Sequence, residues 1–100
     1  MLMDHNRKLW MDSFRAMNND SRINILALVA GGEKSFSELK RRIGATDGNL
    51  DYHLDVLYSA GFIHNTFQRS KNSQDYSHYG LTERGRKIVR KFGISAKTKR

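Results

Sequence analysis

The stretch from Ser37 to Gly61, SELKRRIGATDGNLDYHLDVLYSAG, constrains this chain most, because two short helical patterns meet there at a glycine. Leu39 and Ile43 stand i, i+4 and share one face of the first segment, which Gly44 closes. Thr46 can cap the second segment, Leu50, Leu54 and Leu57 give it a buried seam, and Gly61 supplies the left-handed residue at its end. Two short helices joined by a glycine-containing turn make a helix-turn-helix pattern.

The flanking elements follow from periodicity. Leu9, Trp10, Phe14 and Met17, with Met3 one heptad before Trp10, fall on one side of a helix over about residues 4–17, and Arg7, Lys8, Asp12 and Arg15 stay largely off it. Asn18, Asn19 and Asp20 break that helix, and Asp20 or Ser21 is expected to cap a second one. Its segment INILALVA is apolar on nearly every face, so it belongs in the middle of the core. Gly31 and Gly32 end it, Phe36 is expected in a short extended stretch, and Ser37 is expected to cap the third helix. FIHNTFQR and DYSHYGL, around the polar turn SKNSQ, read as a β-hairpin. Thr82 caps a last helix with Ile88, Val89 and Phe92 inward and Gly93 at its end, and residues 94–100 form a frayed basic tail. The fold class is mainly α with a small hairpin (α+β), in one domain over residues 1–100 with its core over residues 21–93.

Charge narrows the function. The chain carries 18 basic and 10 acidic residues, a net charge of +8 that points to a polyanionic partner. The excess is uneven: +1 over residues 1–30, −1 over residues 31–61 and +8 over residues 62–100. The absence of cysteine excludes disulfide frameworks, thiolate catalysis and Cys-rich zinc sites. The longest apolar run, INILALVAGG, is far short of the ~20 residues of a membrane span. MLMDHNRKLW lacks the order of charge, apolar stretch and cleavage site of a signal peptide, so the chain reads as cytoplasmic. Nothing in the spacing suggests a Ser, His and acid combination or a glycine-rich phosphate loop, so we expect no enzyme, no cofactor and no small-molecule ligand.

Four stretches go further. SFSELK (35–40), DGNL followed by HL (47–50, 53–54), AGFI (60–63) and LTERGR (81–86), in that order and at that spacing, resemble wording shared by winged helix-turn-helix transcriptional regulators of the ArsR and MarR type. Any one alone is weak; four in register over residues 21–92 are a strong signal for the fold. The resemblance implies a helix over residues 46–60 in the major groove of double-stranded DNA, with its N-terminal half nearest the bases. It implies a wing over residues 62–81 on the backbone, and a homodimer made by the first and last helices. Leu9, Trp10, Phe14 and Phe92 are then the interface residues; otherwise Trp10 and Phe14 cover the core of a monomer. Winged helices also serve protein contacts, and a sequence-neutral nucleic-acid coat would use the same basic wing and tail. In the metal-sensing branch, ligands come from cysteines or from carboxylates and histidines of the last helix. Here there is no cysteine and no histidine in residues 82–93, so no metal is expected.

Stepping ~100° per residue from Leu50 puts Gly48, Tyr52, Asp55 and Ser59 on the outer side of the reading helix, with Asn49 and Asp51 on opposite flanks. Thr46, Gly48, Asn49, Asp51 and Tyr52 are the candidate contacts of that helix; Asn49 can pair with adenine and Tyr52 can reach a phosphate. Ser37, Lys40, Arg41, Arg69 and Lys71 are the candidate backbone contacts. Asp47 lies in the first turn, where the helix dipole stabilises a carboxylate. Asp51 has three readings: acceptor from a cytosine amino group, repulsion of non-specific phosphate, or a salt link to Arg41 or Arg42. We favour the last two. Asp51 and His53 point ~200° apart and cannot share an ion, and His53 is expected to pack beside the leucine seam.

Overall fold

In the computed structural model, backbone is described for residues 2–69 and 75–96, and side chains for residues 7–66 and 77–96. The elements run α1 (Leu2–Met17), α2 (Asp20–Ala30), β1 (Lys34–Ser35), α3 (Phe36–Ile43), α4 (Asp47–Ser59), β2 (Ile63–Arg69), β3 (Asp75–Leu81) and α5 (Glu83–Lys91). As its all-round apolarity requires, α2 is central: Ile25, Leu26, Ala27, Leu28 and Val29 are all buried. Around them pack Leu39 of α3, Leu50, Leu54 and Leu57 of α4, Phe62 just after α4, Ile63 of β2 and Val89 of α5. Each such side chain removed from water contributes roughly 1.5–3 kcal/mol.

The strands form one antiparallel sheet in the order β1-β3-β2, with Lys34 opposite Tyr79 and Ile63 opposite Leu81. Phe36 is therefore not extended; it is the first residue of α3, and the strand is Lys34–Ser35. The cap moves with it. Ser35, not Ser37, accepts from the Glu38 amide at 3.1 Å, because Ser35 and Glu38 have the three-residue spacing of a capping box. Asn19, rather than Asp20 or Ser21, caps α2 through its side-chain oxygen and the Arg22 amide. Thr46 and Thr82 cap α4 and α5 as expected.

Two helix ends explain how the chain turns. After α4, Gly61 (φ 80°) reverses direction, the Gly61 amide donates to Tyr58 O and the Phe62 amide to Leu57 O, which delivers Phe62 into the core. After α5, Gly93 (φ 64°) does the same, with Ile94 donating to Val89 O at 2.9 Å. Ile94 consequently packs against the core rather than fraying, and Phe92, at the cap position, stays 60% exposed instead of turning inward. α5 lies so close to Phe62 that a Cβ on Gly85 would stand 2.0 Å from the Phe62 carbonyl oxygen.

Candidate nucleic-acid interface

Gly44 (φ 75°) ends α3 with its amide on Lys40 O, and two residues later the Thr46 side chain takes the Asn49 amide to start α4. This turn leaves Thr46, Asp47, Gly48, Asn49, Asp51 and Tyr52 exposed along the first half of α4 while Leu50 is fully buried beneath them. A Cβ at Gly48 would meet nothing within 4 Å, so that position is open to whatever approaches the helix.

The helix has two different flanks. On one side Asp51, Leu54, Asp55 and Tyr58 face Asn65 and Tyr79 of the hairpin across a cleft of about 280 Å³. Burial pushes the Tyr79 hydroxyl above its ordinary pKa, against a hydrogen bond with Ser77, and the Asp51 and Asp55 charges add to the rise. Among the described residues Asp51 has no ion pair: Arg42 reaches Glu38 at 3.7 Å, and Lys40 reaches Asp47 at 2.8 Å. The expected link from Asp51 to Arg41 or Arg42 is absent among the described residues: Arg42 is taken by Glu38, and Asp51 faces the sheet rather than α3.

The other flank faces α1. Arg15 Nη2 donates to the Tyr52 hydroxyl at 3.2 Å, so the ring leans toward α1 although it stays half-exposed. Behind it lies Arg22, only 6% exposed, a residue that periodicity did not single out. Its guanidinium donates to Ala16 O at 3.1 Å, to Arg15 O at 2.7 Å and to His53 Nδ1 at 3.0 Å, and stands 5.9 Å from the centre of the Tyr52 ring. A buried cation here has carbonyls of the last turn of α1 as its counter-charge rather than a carboxylate. Because a guanidinium only donates, His53 accepts at Nδ1 and carries its proton on Nε2. Burial first, and the Arg22 charge second, hold the imidazole below its ordinary pKa. His53 is thus the packed histidine expected beside the leucine seam.

Of the remaining candidates, Ser37 and Arg41 are exposed on α3, and Lys40 is occupied by Asp47. Arg69 ends β2, and Lys71 lies outside the described residues. Arg84 of α5 donates to Ala60 O and to Ser13 Oγ, tying α5 to the end of α4 and to α1. Leu9, Trp10, Met11 and Phe14 are all exposed on α1. Trp10, Met11, Phe14 and Met17 line a groove of about 610 Å³ with Ile88 and Phe92 of α5, and the Trp10 and Phe14 rings lie 5.9 Å apart. Among the described residues no group of three His, Asp or Glu side chains could hold a metal ion, and no helix is long and apolar enough to cross a membrane.

The profile of one domain family, the domain of unknown function DUF7347, matches residues 11–92. The chain belongs to that family. A relative from Methanocaldococcus jannaschii, the uncharacterized protein MJ0432, is 42% identical over 50 residues, 49% of this chain and 54% of the relative, so the chain matches about half of that protein's length. Among solved structures, HlyU from Vibrio cholerae superposes with a TM-score of 0.69 at 22% identity, covering 87% of this chain and 90% of HlyU. Mb0332 from Mycobacterium bovis, described as a homodimeric winged helix-turn-helix DNA-binding domain of a possible ArsR-family transcriptional regulator, superposes with a TM-score of 0.75 at 18% identity, over 91% of this chain and 81% of that one. The fold of this DUF7347 member is therefore the winged helix-turn-helix of transcriptional regulators, with α3 and α4 as the helix-turn-helix and β2–β3 as the wing.

Proposed function

We propose that this chain is a sequence-specific regulator of transcription that binds double-stranded DNA in the cytoplasm, by occupancy rather than catalysis. The observation that carries the reading is the exposed polar edge of α4, held out by the Gly44 turn beside the hairpin. On that helix Thr46, Gly48, Asn49, Asp51 and Tyr52 are the residues nearest the DNA; Ser37, Arg41, Arg69 and Lys71 meet phosphates. Lys40 joins them by exchanging Asp47 for a phosphate, since an exposed pair of this kind contributes only ~0–1 kcal/mol. Asp51, without a cationic partner among the described residues, acts as a filter against non-specific phosphate. The fold shared with regulators supports the reading, as does the description of Mb0332 as a DNA-binding homodimer.

The apolar groove between α1 and α5 is the homodimer contact, with Leu9, Trp10, Phe14 and Phe92 covered by the partner subunit. Two α4 helices related by a two-fold axis then favour half-sites ~10 bp apart. Selection of bound duplexes from a randomised pool at near-physiological salt is the test. The expected result is an enriched two-fold motif. No enrichment, with retention of the chain by a protein, would favour the second reading, in which the exposed Asp47, Asp51 and Asp55 dock a basic partner.

A further inference from the structure

If α4 meets DNA, its own exposed charges oppose the encounter. Asp47, Asp51 and Asp55 are all exposed, and among the described residues Lys40 and Arg42 of the neighbouring helix are paired with Asp47 and Glu38. Arg41 is left on α3, but it lies before the turn. Among the described residues one other exposed cation touches α4, and it comes from α1. Arg15 is in the last turn of that helix, has no carboxylate within 4 Å among the described residues, and holds the Tyr52 hydroxyl at 3.2 Å. Asp12, the carboxylate nearest along α1, is taken by Lys8 at 3.3 Å.

We infer that Arg15 and Tyr52 together form a phosphate-binding pair on the α1 flank of the reading helix, a role that rests on the DNA-binding function proposed above. Tyr52 lies five residues into α4, ~7.5 Å from its start, within the half that approaches the bases. Its hydroxyl accepts from Arg15 and so keeps its own O–H for an outside acceptor. Arg15 uses one of its five N–H groups on Tyr52, and among the described residues its guanidinium makes no other hydrogen bond. The bond from Arg15, and then its charge, lower the Tyr52 pKa, which makes the phenol a stronger donor. Arg22, stacked 5.9 Å from the ring centre, adds a second positive charge behind the phenol and fixes the ring from below. Asp12 and Asp55 line the same cleft as Arg15 and Tyr52. The pair supplies the attraction that the acidic face of α4 lacks and fixes the register of that helix without reading a base.

The test measures binding of the full chain to its selected duplex and to unrelated duplexes across a range of salt. Arg15→Gln keeps a donor for Tyr52 but removes the charge; it should flatten the slope of log affinity against log salt by about 0.9 for each Arg15 that meets a phosphate. Arg15→Lys should restore the slope. Tyr52→Phe should weaken binding several-fold, alike on every sequence, with the slope kept. Circular dichroism melts of each variant separate these effects from misfolding. An unchanged slope in Arg15→Gln, or a changed base preference in Tyr52→Phe, overturns the pair and leaves the proposed function standing. Failure of the native chain to bind any duplex overturns both.

Discussion

Two junctions hold α4 and α5 in place, and they differ in what dominates them. Where α5 crosses the chain after α4, contact is steric: Gly85 lies against the Phe62 carbonyl with no room for a methyl group, and Thr82 bonds to Gly61 O. Where α4 meets α1, contact is polar: Arg15 and Arg22 reach Tyr52, His53 and the carbonyls that end α1. The first junction also holds Arg84, which donates to Ala60 O, but a guanidinium keeps its charge at every working pH. The second depends on charge, tautomer and hydrogen-bond direction, so it responds to solution conditions that leave the first untouched. The side of α4 that positions Tyr52 is therefore the adjustable side.

The largest expected effect breaks the steric junction. Gly85→Ala forces a methyl against backbone that cannot rotate away, and should cost at least about 3 kcal/mol in urea unfolding, independent of pH. A loss under 1 kcal/mol would mean that α5 shifts freely and that this junction is not rigid. Arg22→Ala comes next. It leaves Ala16 O, Arg15 O and His53 Nδ1 without their donor, for a loss of about 2–3 kcal/mol by the same measurement. The smallest effect is a pH dependence. Burial and Arg22 keep His53 below its ordinary value of 6.5 in the folded chain, so the unfolded chain takes up that proton first. The junction's contribution is complete above pH ~6.5 and is lost as pH falls from there toward the folded value. His53→Gln retains an acceptor for Arg22 without a titrating ring, and its thermal midpoint should fall less between pH 7 and 5 than that of the native chain. Equal falls would remove His53 from the account.

These junctions also divide what a reader of the sequence can see. The steric one is written in local signals: Thr82 three residues before Gly85, Gly61 after the leucine seam, and the alternation that places Ile63 inward. The capping residues of α2 and α3 fell one or two positions from expectation because several small polar residues stand in a row. In α3, Glu38 settles the choice for Ser35, because it stands three residues after Ser35 and only one after Ser37. The polar junction had no such signature. Arg15 and Tyr52 are 37 residues apart, and Arg22 is neutralised by main-chain carbonyls, which look the same at every position of a sequence. The acidic spacing of α4 was legible; that Asp51 faces the hairpin rather than α3 needed the path of the sheet. Phe92 was placed inward by helical period, but the helix ends one residue earlier and Ile94 takes that position.

The single tryptophan of the chain is Trp10, 61% exposed on the apolar groove and stacked near Phe14. Its position makes the molecule its own optical probe. Intrinsic emission here reports on the covering of the α1–α5 groove more than on folding of the core, which contains no indole. For the homodimer proposed above, dilution should shift that emission to the red without loss of helical signal, and the concentration at which it shifts would give the subunit affinity with no label attached; an emission that is independent of concentration would count against that dimer.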